Sequence, residues 1–165
     1  MAEKTGRELA GLAVVTLAGG EKLGKIDDIV FNPATGRITG FFVDRGAIFS
    51  KPKFLPTGDV QSLGEDALTL EAETALLDGP SALTGELAAK TVENLPVLNP
   101  AGTVLGKVAD IGVDTLAFTV PYLVLSGSLI TNALHGGKPH LPISAVQTIG
   151  ADSVIVSSSY DPKSS

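Results

Sequence analysis

Leu23-Gly24-Lys25-Ile26-Asp27-Asp28-Ile29 recurs as Leu105-Gly106-Lys107-Val108-Ala109-Asp110-Ile111, 82 positions later (24 to 106). A second block follows in the same order. Leu55-Pro56, Val60-Gln61, Gly64 and Asp66 match Leu141-Pro142, Val146-Gln147, Gly150 and Asp152, 86 positions later (56 to 142). A weaker match opens each half, Glu8-Leu9-Ala10 against Glu86-Leu87-Ala88. Three matches in one order imply two structural units of the same design. The Gly/Pro/Ser cluster Leu77-Asp78-Gly79-Pro80-Ser81 marks the boundary, giving domains 1–78 and 79–165.

Each unit reads as short strands. Val14-Val15-Thr16-Leu17 is rich in β-branched residues and stops at Gly19-Gly20. Residues 25–31 form a second strand, and Asn32-Pro33-Ala34-Thr35-Gly36 then turns the chain, with proline fixing φ and Gly36 supplying a positive φ at the exit. Residues 38–43, 55–63 and 67–70 follow as strands. Asn99-Pro100-Ala101-Gly102 is the first hairpin turn of the second unit. Thr5-Gly6-Arg7-Glu8 fits a capping box and predicts one helical turn. The fold class is therefore all-β: two tandem units of short strands with short helical turns, each a small barrel or sandwich. Closing each barrel would remove exposed edges. Phe42 and Leu123, counted back from Gly46 and Gly127, are expected at equivalent core positions.

The repeated carboxylates carry a further signal. Ile26 and Asp28 share one strand parity, whereas Ile29 and Phe31 share the other. Val108 and Asp110 against Ile111 and Val113 repeat the shift. A regular strand keeps its apolar residues on one face, so the shift predicts a β-bulge near each aspartate. A ligand-binding carboxylate is the alternative. The structural role is favoured, because both copies keep the residue and no further ligand type stands beside it.

These blocks together resemble the PRC-barrel family: Gly24 to Ile29, the run from Asn32-Pro33-Ala34-Thr35-Gly36 to Gly40-Phe41-Phe42-Val43, then Leu55-Pro56, Val60, Gly64 and Ala67-Leu68-Thr69-Leu70. The family includes the cytoplasmic domain of the photosynthetic reaction centre H subunit and the C-terminal domain of the ribosome maturation factor RimM. The resemblance extends to both halves, although the second lacks the Asn-Pro-x-x-Gly turn. It implies two PRC-type barrels in which Gly24, Asp28, Gly36, Pro56, Gly106, Asp110 and Pro142 are structural. It also implies docking or regulation rather than catalysis.

Composition narrows the function. The 165 residues are 44% hydrophobic and carry a net charge of −6, with a pI near 4.8. A globular chain is expected. An acidic surface repels phosphate backbones, so direct nucleic-acid binding is disfavoured. There are no cysteines, which excludes disulfides, thiolate metal ligands and cysteine nucleophiles. The start of the sequence has no apolar segment of the signal-peptide type. Residues 115–133 carry no charge after Asp114, but Pro121, Ser126, Gly127 and Ser128 interrupt them, so no membrane-spanning helix is expected there.

No catalytic set stands out. Gly19, Gly24 and Lys25 have the spacing of a phosphate-binding loop, but Ile26 replaces the Ser or Thr that would hold Mg²⁺, and a strand follows instead of a helix. His135 and His140 are the only histidines, in a Gly/Pro loop, and offer two ligands where catalytic zinc wants three. No catalytic residue, cofactor or metal is assigned.

The best functional lead is an insert before Leu141 that the first half does not have. Leu129, Ile130 and Leu134 would form an exposed apolar patch there, either an interface or a cover for the seam between barrels. The expected function is a non-enzymatic cytoplasmic adaptor that binds a protein partner, with homo-oligomerisation as an option. The alternatives are a factor docking on a ribosomal protein and a peripheral regulator of a membrane electron-transfer complex.

Overall fold

The computed structural model describes residues 3–46, 51–79, 85–127 and 139–160. The chain is mostly β and forms two sheets. The first contains β2 (Ala13–Thr16), β3 (Lys22–Phe31), β4 (Ile38–Asp44), β5 (Lys53–Pro56), β6 (Val60–Leu63), β7 (Ala67–Leu70) and β8 (Leu77–Asp78), in the order β6-β7-β2-β3-β4-β5-β8. The second contains β10 (Pro96–Leu98), β11 (Val104–Asp114), β12 (Tyr122–Ser126), β13 (His140–Pro142), β14 (Val146–Ile149) and β15 (Val154–Val156), in the order β14-β15-β10-β11-β12-β13. Apart from β8, the two orders coincide when strands are matched along the chain.

Connection lengths force each sheet to curl. β5 and β6 lie at opposite ends of a six-strand path, about 24 Å apart if the sheet were flat. A single 3₁₀ turn, Thr57–Asp59, joins them, and such a link spans at most about 15 Å. Ile143–Ala145 joins β13 to β14 in the same way. Among the described residues no ladder joins β5 to β6 or β13 to β14, so the barrel-like curl is closed by these turns and not by hydrogen-bonded strands. The turn also divides the single strand expected over 55–63. Pro56 lacks an N–H, Thr57 ties its hydroxyl to the Ile38 carbonyl at 2.9 Å, and pairing resumes only at Val60.

Equivalent residues fill equivalent places in the core. Ile26, Ile29, Phe41, Val43 and Leu55 are buried in the first sheet, and Val108, Ile111, Leu123, Leu125 and Leu141 in the second. Phe41, not Phe42, is the counterpart of Leu123: Ile29 faces Phe41 and Ile111 faces Leu123 across their ladders. Phe42 is half-buried on the other face, edge-on to Phe54 with ring centroids 5.6 Å apart. The expected pairing of Phe42 with Leu123 fails because Asp44 and Ser126 occupy the same register position, opposite Lys25 and Lys107. Arg45, and not Gly46, therefore matches Gly127.

The two sheets exchange their leading segments. β1 (Glu3–Thr5) pairs with β11 of the second sheet, Thr5 opposite Gly112. β9 (Leu87–Ala88) pairs with β3 of the first, Ala88 opposite Val30. A helical turn follows each: α1 (Gly6–Leu9) and α2 (Ala89–Val92). The structure thus matches Gly6–Leu9 with Ala89–Val92, a different register from the expected Glu8/Glu86 match. Leu9 and Val92, at the ends of these turns, are fully buried, and one continuous apolar cluster runs through both sheets. Each such side chain removed from water contributes about 1.5–3 kcal/mol.

Candidate functional site at the seam between the two sheets

The bulges expected at the repeated aspartates are present. Between Ile26 and Asp28 the ladder to β4 advances by only one partner, from Val43 to Phe42, so Asp27 is the additional residue. Between Val108 and Asp110 the same happens against Leu125 and Val124, with Ala109 additional. Each bulge restores Ile26 and Ile29, or Val108 and Ile111, to one buried face. It also leaves backbone N–H groups without ladder partners. Asp28 Oδ1 accepts the Ile29 N–H at 2.8 Å, and Asp110 Oδ1 accepts the Ile111 N–H at 2.8 Å.

The same carboxylates reach across the seam. Asp28 Oδ1 also accepts the Lys90 N–H of α2 at 3.3 Å, while Asp110 Oδ2 accepts the Arg7 N–H of α1 at 3.4 Å. The first N–H groups of a helix have no partner inside it. Thr5 meets part of that need for α1 through the predicted capping box: its Oγ1 accepts the Glu8 N–H at 3.2 Å, and its own N–H donates to Glu8 Oε1 at 2.9 Å. Ala88, at the start of α2, carries only a methyl group and cannot accept a hydrogen bond through its side chain, and Asp28 supplies the acceptor from the other unit.

The two sites differ in exposure. Asp110 is buried and lies against Gly6, where an added Cβ would meet its Oδ1 at 3.0 Å. Asp28 is half-buried and faces a cleft of about 230 Å³. The cleft is lined by the buried Ile26, Ile29 and Ala89, by the exposed Arg7, Ala10 and Lys90, and by the half-buried Glu93. Burial holds the Asp28 carboxyl above the usual aspartate value, and the N–H bonds from Ile29 and Lys90 and the Lys90 charge offset this only in part. The Lys90 ammonium is raised by its hydrogen bond to Asp27, a 3.0 Å ion pair on the rim.

A second cleft of about 340 Å³ is formed by Lys22, Leu23, Gly24, Lys25 and residues 44–46. Gly24 is required there, because a Cβ would collide with the Asp44 carbonyl oxygen. Arg45 spans the cleft wall, with Nε donating to the Leu23 carbonyl at 3.1 Å and Nη2 meeting Glu73 at 2.6 Å. Lys25 lies within β3, paired with Asp44 and Ala13, and no helix follows, so the glycine-lysine spacing is a hairpin. Gly36 exits its turn at φ +75°. Pro56 and Pro142 stand opposite Gly40 and Tyr122, each one residue before its 3₁₀ turn.

His140 is exposed and stacks on Tyr122 with ring centroids 4.0 Å apart. His135, and the insert residues Leu129, Ile130 and Leu134, lie outside the described residues. Among the described residues no three His, Asp or Glu side chains converge as a metal site, and no helix is long and apolar enough to cross a membrane. The arm exchange, which builds the seam, was the feature that sequence reasoning missed. Its one signal was the buried pair Leu9 and Val92, which the Glu8/Glu86 match set out of register.

In comparison with known proteins, residues 1–77 match the family model of the PRC-barrel domain. No curated protein matches the chain.

Proposed function

We propose that the chain is a tandem PRC-barrel adaptor, with domains 1–78 and 79–165, that docks on protein partners in the cytoplasm and performs no catalysis. The observation that carries this reading is the PRC-barrel match over residues 1–77. Shared strand order, shared bulges at Asp28 and Asp110, and shared 3₁₀ turns after Pro56 and Pro142 support extending the same design to the second unit. Asp28, Asp110 and the Asp27–Lys90 pair are occupied in joining the units, which suits a rigid platform better than a reactive centre. The docking contact is assigned to the insert residues Leu129, Ile130 and Leu134.

Affinity capture with the full chain from native cells, with and without ribonuclease, tests the proposal. A partner retained after ribonuclease, reconstituted from purified components, and lost when Leu129, Ile130 and Leu134 are all changed to Ser supports it. Capture that disappears with ribonuclease would instead indicate an RNA-bridged ribosomal association. Capture only from the membrane fraction would indicate the peripheral-regulator reading.

A further inference from the structure

We infer that the seam is a pseudo-symmetric association surface: each unit docks on the other through the same set of matched contacts, and the chain between Gly79 and Gly85 serves only to keep the two units close. Contacts at matched positions are reciprocal. The Ile38 N–H donates to the Phe118 carbonyl at 2.9 Å, and the Val120 N–H donates to the Gly36 carbonyl at 2.7 Å. Ile38 and Gly36 match Val120 and Phe118 under the ladder register that matches Ile29 with Ile111. Arg37 and Thr119, the residues between them, face each other in an antiparallel bridge. A residue that faces its own counterpart lies beside a two-fold axis, and here, with different residues at the matched positions, the axis is a pseudo-two-fold.

The arms obey the same rotation. β1 lies on β11 as β9 lies on β3. Asp110 holds the Arg7 N–H as Asp28 holds the Lys90 N–H. Leu9 and Val92, at matched positions of the two helical turns, both belong to the common core. Every one of these contacts joins one unit to the other, and none uses the connecting chain. A short connection supplies an effective concentration in the millimolar range, which favours pairing within one chain over pairing between chains. With the connection cut, the same surface operates between separate molecules. The inference concerns the seam and stands apart from the adaptor reading, since failure to find a docking partner would leave it untouched.

The test inserts a specific protease site between Gly79 and Gly85 of the full chain and cleaves the folded protein. The cut protein should sediment as one species with the mass of the intact chain. Its melting temperature should now depend on concentration, and mixing isotope-labelled with unlabelled cut protein should produce hybrids. Changing both Asp28 and Asp110 to Ala should raise the dissociation constant of the cut protein by about tenfold or more, while the uncut double variant keeps the wild-type circular dichroism spectrum. Fragments that separate at all concentrations, or that melt as two independent transitions, would overturn the inference. So would an unchanged dissociation constant in a folded double variant. If the double variant does not fold, the cut wild-type protein decides alone.

Discussion

Asp28 and Asp110 perform the same task from opposite sides of the seam: each bridges its own bulge and the helical turn of the other unit, with Lys90 N–H at 3.3 Å from Asp28 and Arg7 N–H at 3.4 Å from Asp110. The surroundings are not symmetric. Asp110 is 8% exposed, while Asp28 opens onto the cleft beside Lys90. Their replacement should therefore have unequal consequences. Asp110→Ala leaves the buried Ile111 N–H and the part-buried Arg7 N–H without acceptors, at a cost of about 1–3 kcal/mol. Asp28→Ala should cost less, because water reaches the groups it leaves. Urea midpoints of the two variants check the order.

The Asp28 carboxyl also sets a pH dependence. Its folded pKa is raised above the ordinary value of 3.8, because burial disfavours the charged form. The folded protein thus binds a proton more readily than the unfolded chain in that window. The stabilisation from this group is complete below pH 3.8 and is lost as pH rises through the folded value. The difference in stability between wild type and Asp28→Asn should shift against wild type as pH rises through this window, then level off. A difference that shifts towards wild type over the same range would reverse the sign.

Phe41 and Phe42 are adjacent but face opposite sides of β4. Phe41 is fully buried, so Phe41→Ala should cost about 3–5 kcal/mol. Phe42→Ala removes a half-buried ring packed on Phe54 and should cost clearly less. Denaturant titration of both variants decides which strand face holds the core.

Two glycines of the first unit make a matched contrast. Gly24→Ala drives a methyl group into the Asp44 carbonyl and should destabilise by about 1–3 kcal/mol. Gly58→Ala meets nothing within 4 Å in the 3₁₀ turn and should be neutral or stabilising by up to about 1 kcal/mol. Thermal melts of the two variants should therefore move in different directions, or one should not move at all.

The strands and bulges were legible because their signals are local and duplicated. The parity shift at Ile26, Asp28 and Ile29 is visible in one copy and checked by Val108, Asp110 and Ile111 in the other. The arms were not legible. β1 and β9 are only three and two residues long, too short for periodicity, and their sequences differ where the structure matches Lys4 with Leu87 and Thr5 with Ala88. α2 lacks a capping residue of its own, because its acceptor comes from Asp28, 62 positions earlier in the chain. The Phe42 assignment failed by one position, because counting back from a glycine fixes register only when both loops leave their strands at the same point.

The two units meet, on this proposal, about a pseudo-two-fold axis beside the Arg37–Thr119 bridge. The chain has no cysteine, so Arg37→Cys with Thr119→Cys places two thiols in an otherwise thiol-free protein. Residues facing each other in an antiparallel bridge have Cα atoms about 4.5–5.5 Å apart, within disulfide range. Under mild oxidation the double variant should form an intramolecular disulfide in nearly every molecule, read as a mobility shift on a non-reducing gel that the single variants do not show. Thiols that stay free, or that cross-link only between chains, would contradict the claim.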